Sequence, residues 1–205
     1  MSLVNGDGIE KIEAAIARAE AETSTELVVA VVSRSGDYWQ GPAAVAWLWT
    51  LAVACGLLYF FPALDPFIVV VLQLPVPAAL FWVIRRPRLL RLLISRAAAA
   101  ENVERRAFSL FSERGLYETR DRSGMLILVS ELEHRVVILG DRGIHEHVGA
   151  EGWRAHVDHI LASIRRGDAA GGIVEVIERL GALHAERMPV RADDTNELAN
   201  AVIRD

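Results

Sequence analysis

A run of five residues near the carboxyl terminus combines side-chain oxygens in a pattern that could bind a metal ion. The run from Asp193 to Glu197 reads Asp-Asp-Thr-Asn-Glu, so three carboxylates and an amide lie close together. Such oxygens suit a hard cation such as calcium, although the spacing is not that of an EF-hand loop. Equally, Asp194 or Thr195 could cap a terminal helix from Glu197 to Ile203. The composition alone favours capping.

Two further acids stand at the ends of predicted strands. Asp121 precedes a strand predicted over Gly124–Ser130, and Asp141 directly follows one predicted over Arg135–Gly140. Ligands often gather at strand ends, but turns also favour Asp and Gly. The sequence shows no phosphate-binding glycine loop, no GxSxG elbow and no Cys/His pair suited to nucleophilic catalysis. These acids therefore indicate either a ligand site or ordinary turns.

Four of the six histidines form two pairs that could bind zinc. His145 and His147 are two residues apart, so they share a face only on an extended strand. His156 and His159 are three apart on a predicted helix and do share a face. A zinc site could combine both pairs, but no Cys supports it and the HExxH pattern is absent. Surface and packing roles are therefore the preferred interpretation.

The elements that must position these side chains follow an α/β pattern. Asp7 and Glu10 fit a capping box, and the following apolar residues recur on one helical face up to about Thr23. Short apolar runs rich in β-branched residues predict strands buried on both faces. The predicted elements after the first helix are a strand at Glu26–Val32, one long helix or two over Arg88–Gly115, strands at Gly124–Ser130 and Arg135–Gly140, and helices at Trp153–Arg166 and Ala169–Met188.

The order of these elements predicts a three-layer α/β/α sandwich with a mixed sheet. The strands at Gly124–Ser130 and Arg135–Gly140 follow each other closely, which favours an antiparallel pair. Helices come before and after the sheet and can cover both of its faces. The strand at Glu26–Val32 precedes a long apolar region, whereas its expected partners follow that region. We therefore expect one domain with another segment inserted into it.

The inserted segment reads as a transmembrane helical hairpin. From Ala43 to Ile84 the only charged residue is Asp65, in a turn bounded by Pro62 and Pro66. The two halves, about 43–61 and 66–84, each approach the roughly 20 apolar residues that a membrane-spanning helix needs. Two prolines in the second half predict a kink. A bent anchor is the preferred interpretation, a broken helix lining a substrate path is the alternative, and two buried helices of a soluble protein are a third.

Charge predicts the orientation of this hairpin and excludes one class of function. Arginines cluster after the second span, whereas only Arg34 lies near the start of the first and the turn carries only Asp65. Because basic residues in short loops stay in the cytoplasm, both termini are predicted to be cytoplasmic, at the inner membrane of the cell. The amino terminus lacks the pattern of a signal peptide. The net charge of −5 argues against a general nucleic-acid binder. The predicted organisation is residues 1–41 as the first helix and strand of the domain, 42–85 as the hairpin, and 86–205 as the remainder.

Several segments outside the hairpin share an order and spacing with a known family. They are Glu26–Val32, Gly124–Ser130, Arg135–Ile144, Trp153, Arg165–Asp168, Gly171–Ile173 and Asp193–Leu198. Together they resemble the TPM domain family, which includes a thylakoid lumen protein of photosystem repair, related bacterial proteins and an acetylcholine-receptor accessory protein. The resemblance is closest to a bacterial membrane-protein branch with apolar segments after the first strand.

This resemblance implies an α/β/α sandwich and a divalent-cation site. Calcium is the usual suggestion for the family, and magnesium is the alternative in a cytoplasmic domain. Acid phosphatase activity has been proposed for some members. Many members have a cleaved signal and a domain outside the cytoplasm, from which this chain is expected to depart. The acids that could hold the metal are Asp121, Asp141, Asp193, Asp194 and Glu197.

The expected function is that of a membrane-anchored accessory or scaffolding protein. Its TPM-like domain would bind a partner protein together with a divalent cation, and its hairpin would bind the lipid bilayer. The alternative is a metal-dependent phosphatase acting on phosphate esters, which requires several of the acids to converge in one cleft. A small transporter or channel subunit is a third interpretation, which rests only on the kinked second span.

Overall fold

The computed structural model describes residues 3–120, 122–185, 189–190 and 201–204, and within residues 145–151 it describes the backbone but not the side chains. The chain divides into two compact units. Met1–Ser35 and Ala100–Asp205 form the first, which we call the sheet unit. Gly36–Ala99 forms the second, which we call the hairpin unit.

Eight helices and four strands are described along the chain. The strands are β1 (Glu26–Val32), β2 (Gly124–Ser130), β3 (Arg135–Gly140) and β4 (Ile203–Arg204). The helices are α1 (Gly6–Glu22), α2 (Gln40–Phe60), α3 (Pro66–Gln73), α4 (Val76–Ile84), α5 (Pro87–Leu93), α6 (Arg96–Glu113), α7 (Arg142–Arg165) and α8 (Ala169–Ala185).

The sheet is mixed, as the sequence predicts, with the strand order β3-β2-β1-β4. Strand β1 runs parallel to β2 over seven residue pairs, from Glu26 opposite Gly124 to Val32 opposite Ser130. Strand β1 is also parallel to the short β4. Strands β2 and β3 are antiparallel, as expected for two strands joined by a short turn. The two central strands come from either side of the hairpin unit in the sequence.

Helices cover both faces of this sheet, which explains why β1 and β2 are apolar throughout. Alternate residues of β1 face opposite ways, so Val29 contributes to one core cluster and Ala30 to the other. The first cluster contains residues of α1, α7 and α8. The second contains residues of α6, including Val103 and Ala107. All seven residues of each central strand are buried, so neither strand shows the alternating pattern of a sheet with one wet face.

Three sequence-based expectations about local structure are wrong. The cap of α1 is Asn5, whose Oδ1 accepts a hydrogen bond from the Gly8 amide at 2.8 Å, and not Asp7. Helix α7 begins at Arg142 instead of Trp153, because Asp141 caps it directly at the end of β3. The predicted terminal helix does not extend to Ile203, which belongs to β4 and pairs with Ala30. In each case a polar cap or a tertiary pairing overrides the local apolar pattern.

The hairpin unit contains two apolar helical stretches. Gln40–Phe60 spans 21 residues with a mean hydropathy of 1.9, and Pro66–Ile84 spans 19 residues with a mean hydropathy of 2.4. The second stretch is interrupted at Leu74 and Pro75, between α3 and α4. Proline lacks the backbone N–H that would continue the helical hydrogen-bond ladder, so the break occurs where the sequence predicts a kink. By length and composition, both stretches could cross a membrane.

Polar side chains inside the hairpin unit bond to its own backbone. Gln73 is buried, and with its amide oriented to satisfy both neighbours, Nε2 donates to the carbonyl oxygen of Thr50 at 2.9 Å. Its Oε1 then accepts from the Ala54 amide at 3.1 Å. The Thr50 hydroxyl donates to the carbonyl oxygen of Ala46 at 2.8 Å. A lipid environment requires such hydrogen bonds within the protein, because hydrocarbon offers no hydrogen-bond partners to polar groups.

Candidate functional site

Several polar residues lie at one edge of the sheet, where β1 and β2 begin and β3 ends. We call it the Asp141 edge and define it by Thr25, Ser123, Gly124 and Asp141. Because β1 is parallel to β2 and β3 is antiparallel to it, these strand ends meet. The Asp141 amide donates to the carbonyl oxygen of Gly124 at 2.9 Å, which extends the β2–β3 ladder by one bond. Sequence analysis predicts ligand binding or a turn at this position.

Asp141 performs two structural roles at this edge. Its Oδ1 accepts a hydrogen bond from the Arg142 amide at 2.7 Å and caps α7. Its Oδ2 lies 3.7 Å from the guanidinium of Arg122, and only 15% of its side chain is exposed. That oxygen is buried and has no hydrogen-bond partner among the described residues. Asp141 is therefore a cap and an ion-pair partner with one oxygen that could still accept a bond.

The loop before β2 is held by hydrogen bonds to this edge. Arg122 has a φ of 53°, in the left-handed region, and its guanidinium donates to the carbonyl oxygen of Tyr117 at 2.7 Å. The Ser123 hydroxyl donates to the carbonyl oxygen of Ser24 at 2.6 Å, and the Ser123 amide donates to the Thr119 hydroxyl at 3.0 Å. The loop is thus fastened to the residues just before β1.

Of the five predicted metal ligands, Asp141 alone lies among the described residues. Asp121, Asp193, Asp194 and Glu197 lie outside them. Within the described part of the chain, no group of three or more His, Cys, Asp or Glu side chains is placed to hold a metal ion. The five-acid cation site therefore stays a prediction, and Asp141 is its one member with a described environment.

The histidines of α7 do not form the arrangement that the zinc alternative required. His145 and His147 lie on the backbone of α7, where positions two apart do not share a face. His159 Nε2 lies 2.8 Å from Glu175 Oε2, and Arg179 lies 3.3 Å from the same oxygen. The zinc alternative required an extended strand at 145–147, and this requirement is not met. Instead, His159 joins α7 to α8 through Glu175.

His156 stands beside this polar cluster and is affected by it. Burial lowers the pKa of His156 below its usual value of 6.5, and electrostatic interactions with Arg179 and His159 lower it further. Protonation of His156 is therefore less favourable in the folded chain than in the unfolded one, so the unfolded chain binds more protons near pH 6.

The sheet unit is expected to lose stability as the pH falls below about 6.5, and His156 should cause part of this loss. The contribution of His156 is fully present above that pH and is lost on acidification through the lowered pKa. Urea midpoints of the full chain in detergent at pH 7.5 and 5.5 measure the effect. His156→Asn should shrink the difference between the two midpoints, and an unchanged difference would contradict the assignment.

Substitutions at Asp141 distinguish a helix cap from a metal ligand. Asp141→Asn keeps a side-chain oxygen that can accept the bond from the Arg142 amide, whereas Asp141→Ala removes it. We expect Asp141→Ala to lower the free energy of unfolding by about 1 kcal/mol and Asp141→Asn to cost less than half of that. Chemical denaturation with and without calcium is the measurement. A calcium-dependent stabilisation lost equally in both variants would instead identify Asp141 as a ligand.

The segment between α7 and α8, which carries part of the family resemblance, has a structural explanation. Gly167 has a φ of 83° and ends α7 in the left-handed region that glycine tolerates best. The Asp168 carboxylate accepts from the Gly171 amide at 3.0 Å and caps α8. A Cβ at Gly172 would overlap the side chain of Ser163 on α7. These residues therefore shape the turn and the close packing of two helices.

Sequence reasoning missed a polar network at the opposite edge of the sheet. Ser130 ends β2, is completely buried and donates to Glu133 in the β2–β3 turn. The Ser35 hydroxyl donates to the Ser130 hydroxyl at 2.8 Å, and the Ser35 amide donates to Glu133 Oε1 at 2.9 Å. The network fixes the chain where it leaves the sheet unit. The Ser-x-x-Glu spacing in a turn was the signal that could have revealed it.

Comparison with known proteins finds a family model that matches residues 89–183 and a solved structure with a similar fold. Residues 89–183 match the family model described as the TPM domain. The NMR structure of the BA42 protein from the psychrophilic bacterium Bizionia argentinensis is similar, with a TM-score of 0.61 and 20% identity, and the match covers 98% of this chain and 95% of that one. At 20% identity, this similarity shows that the two proteins share a fold and nothing further. No curated protein matches the chain. Residues 89–183 are therefore similar to the TPM domain, and the described residues form an α/β fold with a mixed four-stranded sheet.

Proposed function

We propose that this chain is a membrane-anchored TPM-domain protein that acts as an accessory or scaffold for a partner protein. The observation that carries the proposal is the exposure of the hairpin unit. In each span window only 11% of the residues are buried. Large apolar side chains such as Trp47, Leu72 and Trp82 are each about two-thirds exposed. Burial of a large apolar side chain is favourable by about 1.5–3 kcal/mol, and in water each of these side chains would lack most of that free energy.

Neither a soluble core helix nor a signal sequence fits the hairpin unit as well as a membrane span does. The core helix of a soluble protein is mostly buried, which these helices are not. A signal sequence lies at the amino terminus, whereas here α1 and β1 come first and pack with residues that follow the hairpin. A bilayer around residues 40–84 accounts for both observations. The placement of the arginines after the second span supports cytoplasmic termini.

A non-enzymatic role is supported by what the conspicuous polar residues do. Asp141 caps α7 and faces Arg122. Asp168 caps α8, and Ser130 belongs to the network at Ser35. These side chains hold the fold together, and each has a structural partner. A partner-binding domain anchored at the membrane surface fits such a chain better than a hydrolase does.

A divalent cation remains part of this proposal. The ligands would be Asp121, Asp141, Asp193, Asp194 and Glu197, with calcium or magnesium as the occupant. The Oδ2 atom of Asp141 is the supporting observation, because a carboxylate oxygen with spare capacity suits a hard cation. Titration calorimetry of the full chain in nanodiscs tests this part, with Asp193→Ala/Asp194→Ala as the comparison. Absence of heat at millimolar calcium and magnesium would remove it.

Labelling of single cysteines in whole cells tests the anchoring and the orientation. Cys55 is the only natural cysteine, so Cys55→Ser provides the background. In that background, Ala63→Cys in the turn should react with an impermeant maleimide in intact cells. Glu104→Cys in α6 should react only after the inner membrane is made permeable. The reverse pattern would place the TPM domain outside the cytoplasm, and a carbonate-extractable chain would disprove the anchor.

A further inference from the structure

The end of the hairpin unit concentrates positive charge. Five arginines lie within residues 85–96, whereas the only acids of the unit are Asp37, before the first span, and Asp65, in the turn between the spans. Arg86, Arg88 and Arg96 form no ion pair with any residue that the structure describes. The arginines are Arg85, Arg86, Arg88, Arg91 and Arg96.

Two of these arginines lie against aromatic rings of the last turn of α4. The Arg85 guanidinium is 5.4 Å from the centre of the Phe81 ring, and that of Arg86 is 4.8 Å from the centre of the Trp82 ring. In a cation–π contact the aromatic ring attracts the guanidinium, so the charge can lie beside an apolar surface without a carboxylate partner. Trp82 is 66% exposed, and tryptophan favours the head-group level of a bilayer. In the proposed membrane insertion, these guanidinium groups would lie at the level of the lipid head groups.

Helix α5 adds an apolar stripe beside the charge. Leu90 is the buried residue of α5. Leu89, Leu92 and Leu93 are exposed and occupy one continuous side of α5, and Arg88 lies next to Leu92 around the helix. A helix with exposed leucines bordered by arginines is suited to lie in the plane of a membrane surface.

We propose that residues 85–96 form a binding surface for anionic phospholipid, in which guanidinium groups hold the head-group phosphate and the leucines of α5 enter the adjacent acyl region. The inference rests on the proposed membrane insertion. Arginine suits this ligand because its planar fork can hold two phosphate oxygens at once. The leucine stripe identifies the source of the phosphate, since a free phosphate ion or a soluble acidic peptide would leave these side chains in water.

Quenching of tryptophan fluorescence by brominated lipids tests the proposal. The full chain is reconstituted into phosphatidylcholine vesicles that contain increasing fractions of brominated phosphatidylglycerol or brominated phosphatidylcholine. Each arginine near a charged surface contributes about fivefold to binding, so we expect roughly tenfold or greater preference for phosphatidylglycerol. The variant Arg86→Gln/Arg88→Gln/Arg96→Gln should lose most of that preference, and Leu92→Ser should reduce it.

A matched control separates this surface from the overall charge of the chain. Arg105→Gln/Arg106→Gln/Arg114→Gln removes the same number of positive charges from α6 and the residue that follows it, and should keep the preference. Equal preference in the two triple variants would overturn the proposal. Flotation in pure phosphatidylcholine after carbonate treatment tests insertion separately. A wild-type chain that does not float would overturn both proposals, whereas a floating chain without lipid preference would overturn this one alone.

Discussion

Replacement of Leu51 and Leu72 by arginine is expected to release the chain from membranes. Each residue lies near the middle of one span, and their exposed fractions are 62% and 69%. An arginine near the centre of a membrane helix costs about 2.5–3.5 kcal/mol on insertion scales, so the pair should cost about 6 kcal/mol. Carbonate extraction followed by flotation measures the membrane-bound fraction. We expect most of the wild-type chain and little of the variant in the floating fraction.

The double variant Phe108→Arg/Val190→Arg is the matched control. It makes the same chemical change at two exposed apolar residues outside the spans, with exposed fractions of 62% and 49%. This control should float like the wild-type chain. If both double variants stay in the membrane, or if both leave it, residues 40–84 are not the anchor and the proposed function loses its main support.

Gly124→Ala is expected to have the largest effect on the stability of the sheet unit. A Cβ at this position would overlap the carbonyl oxygen of Leu116 and lie 2.8 Å from its carbonyl carbon. Backbone atoms cannot rotate away as a side chain can, and the loop that carries Leu116 is fastened at Ser123. Overpacking of this kind should cost about 3 kcal/mol, which is roughly 10 °C in melting temperature for a unit of this size.

Gly6→Ala supplies the comparison for this prediction. Nothing lies within 4 Å of a Cβ built at Gly6, which is the first residue of α1. Its melting temperature should stay within about 2 °C of the wild type, since surface changes without contacts cost little. Thermal unfolding of the three chains in the same detergent, followed by far-ultraviolet circular dichroism, is sufficient. A Gly124→Ala chain that melts with the wild type would mean that the loop at Leu116 can yield.

The parts of the fold that could be predicted are those in which local chemistry decides the structure. The continuous apolar runs of β1 and β2 predict their bounds, because a strand covered on both faces must be apolar throughout. The bounds of the edge strand β3 follow from its apolar run as well, although only Val136 is buried there. The stop of α6 near Gly115 could be predicted as well, since this glycine adopts a φ of 67°. The mixed α/β fold follows from the order of these elements.

Other features depend on contacts that no local pattern reveals. The start of α7 depends on Asp141, which directly follows β3 and caps the helix, and the sequence between Arg142 and Trp153 has no strong apolar period. Strand β4 has only two residues and forms because Ile203 meets Ala30 across the sheet. At the candidate site, an acidic residue at position 141 could be predicted. Its ion pair with Arg122, a residue with a φ of 53°, could not, because no local pattern shows that these two side chains meet.

The pairing of β1 with β2 has a consequence for the synthesis of this chain. Residue Glu26 pairs with Gly124, about 100 residues later, and the hairpin unit is made in between. At 5–20 residues per second, β1 waits about 5–20 s on the ribosome without its partner. During that time an apolar, β-branched strand is open to aggregation. Early delivery of residues 40–84 to the membrane would keep β1 close to the bilayer and away from other nascent chains until β2 emerges.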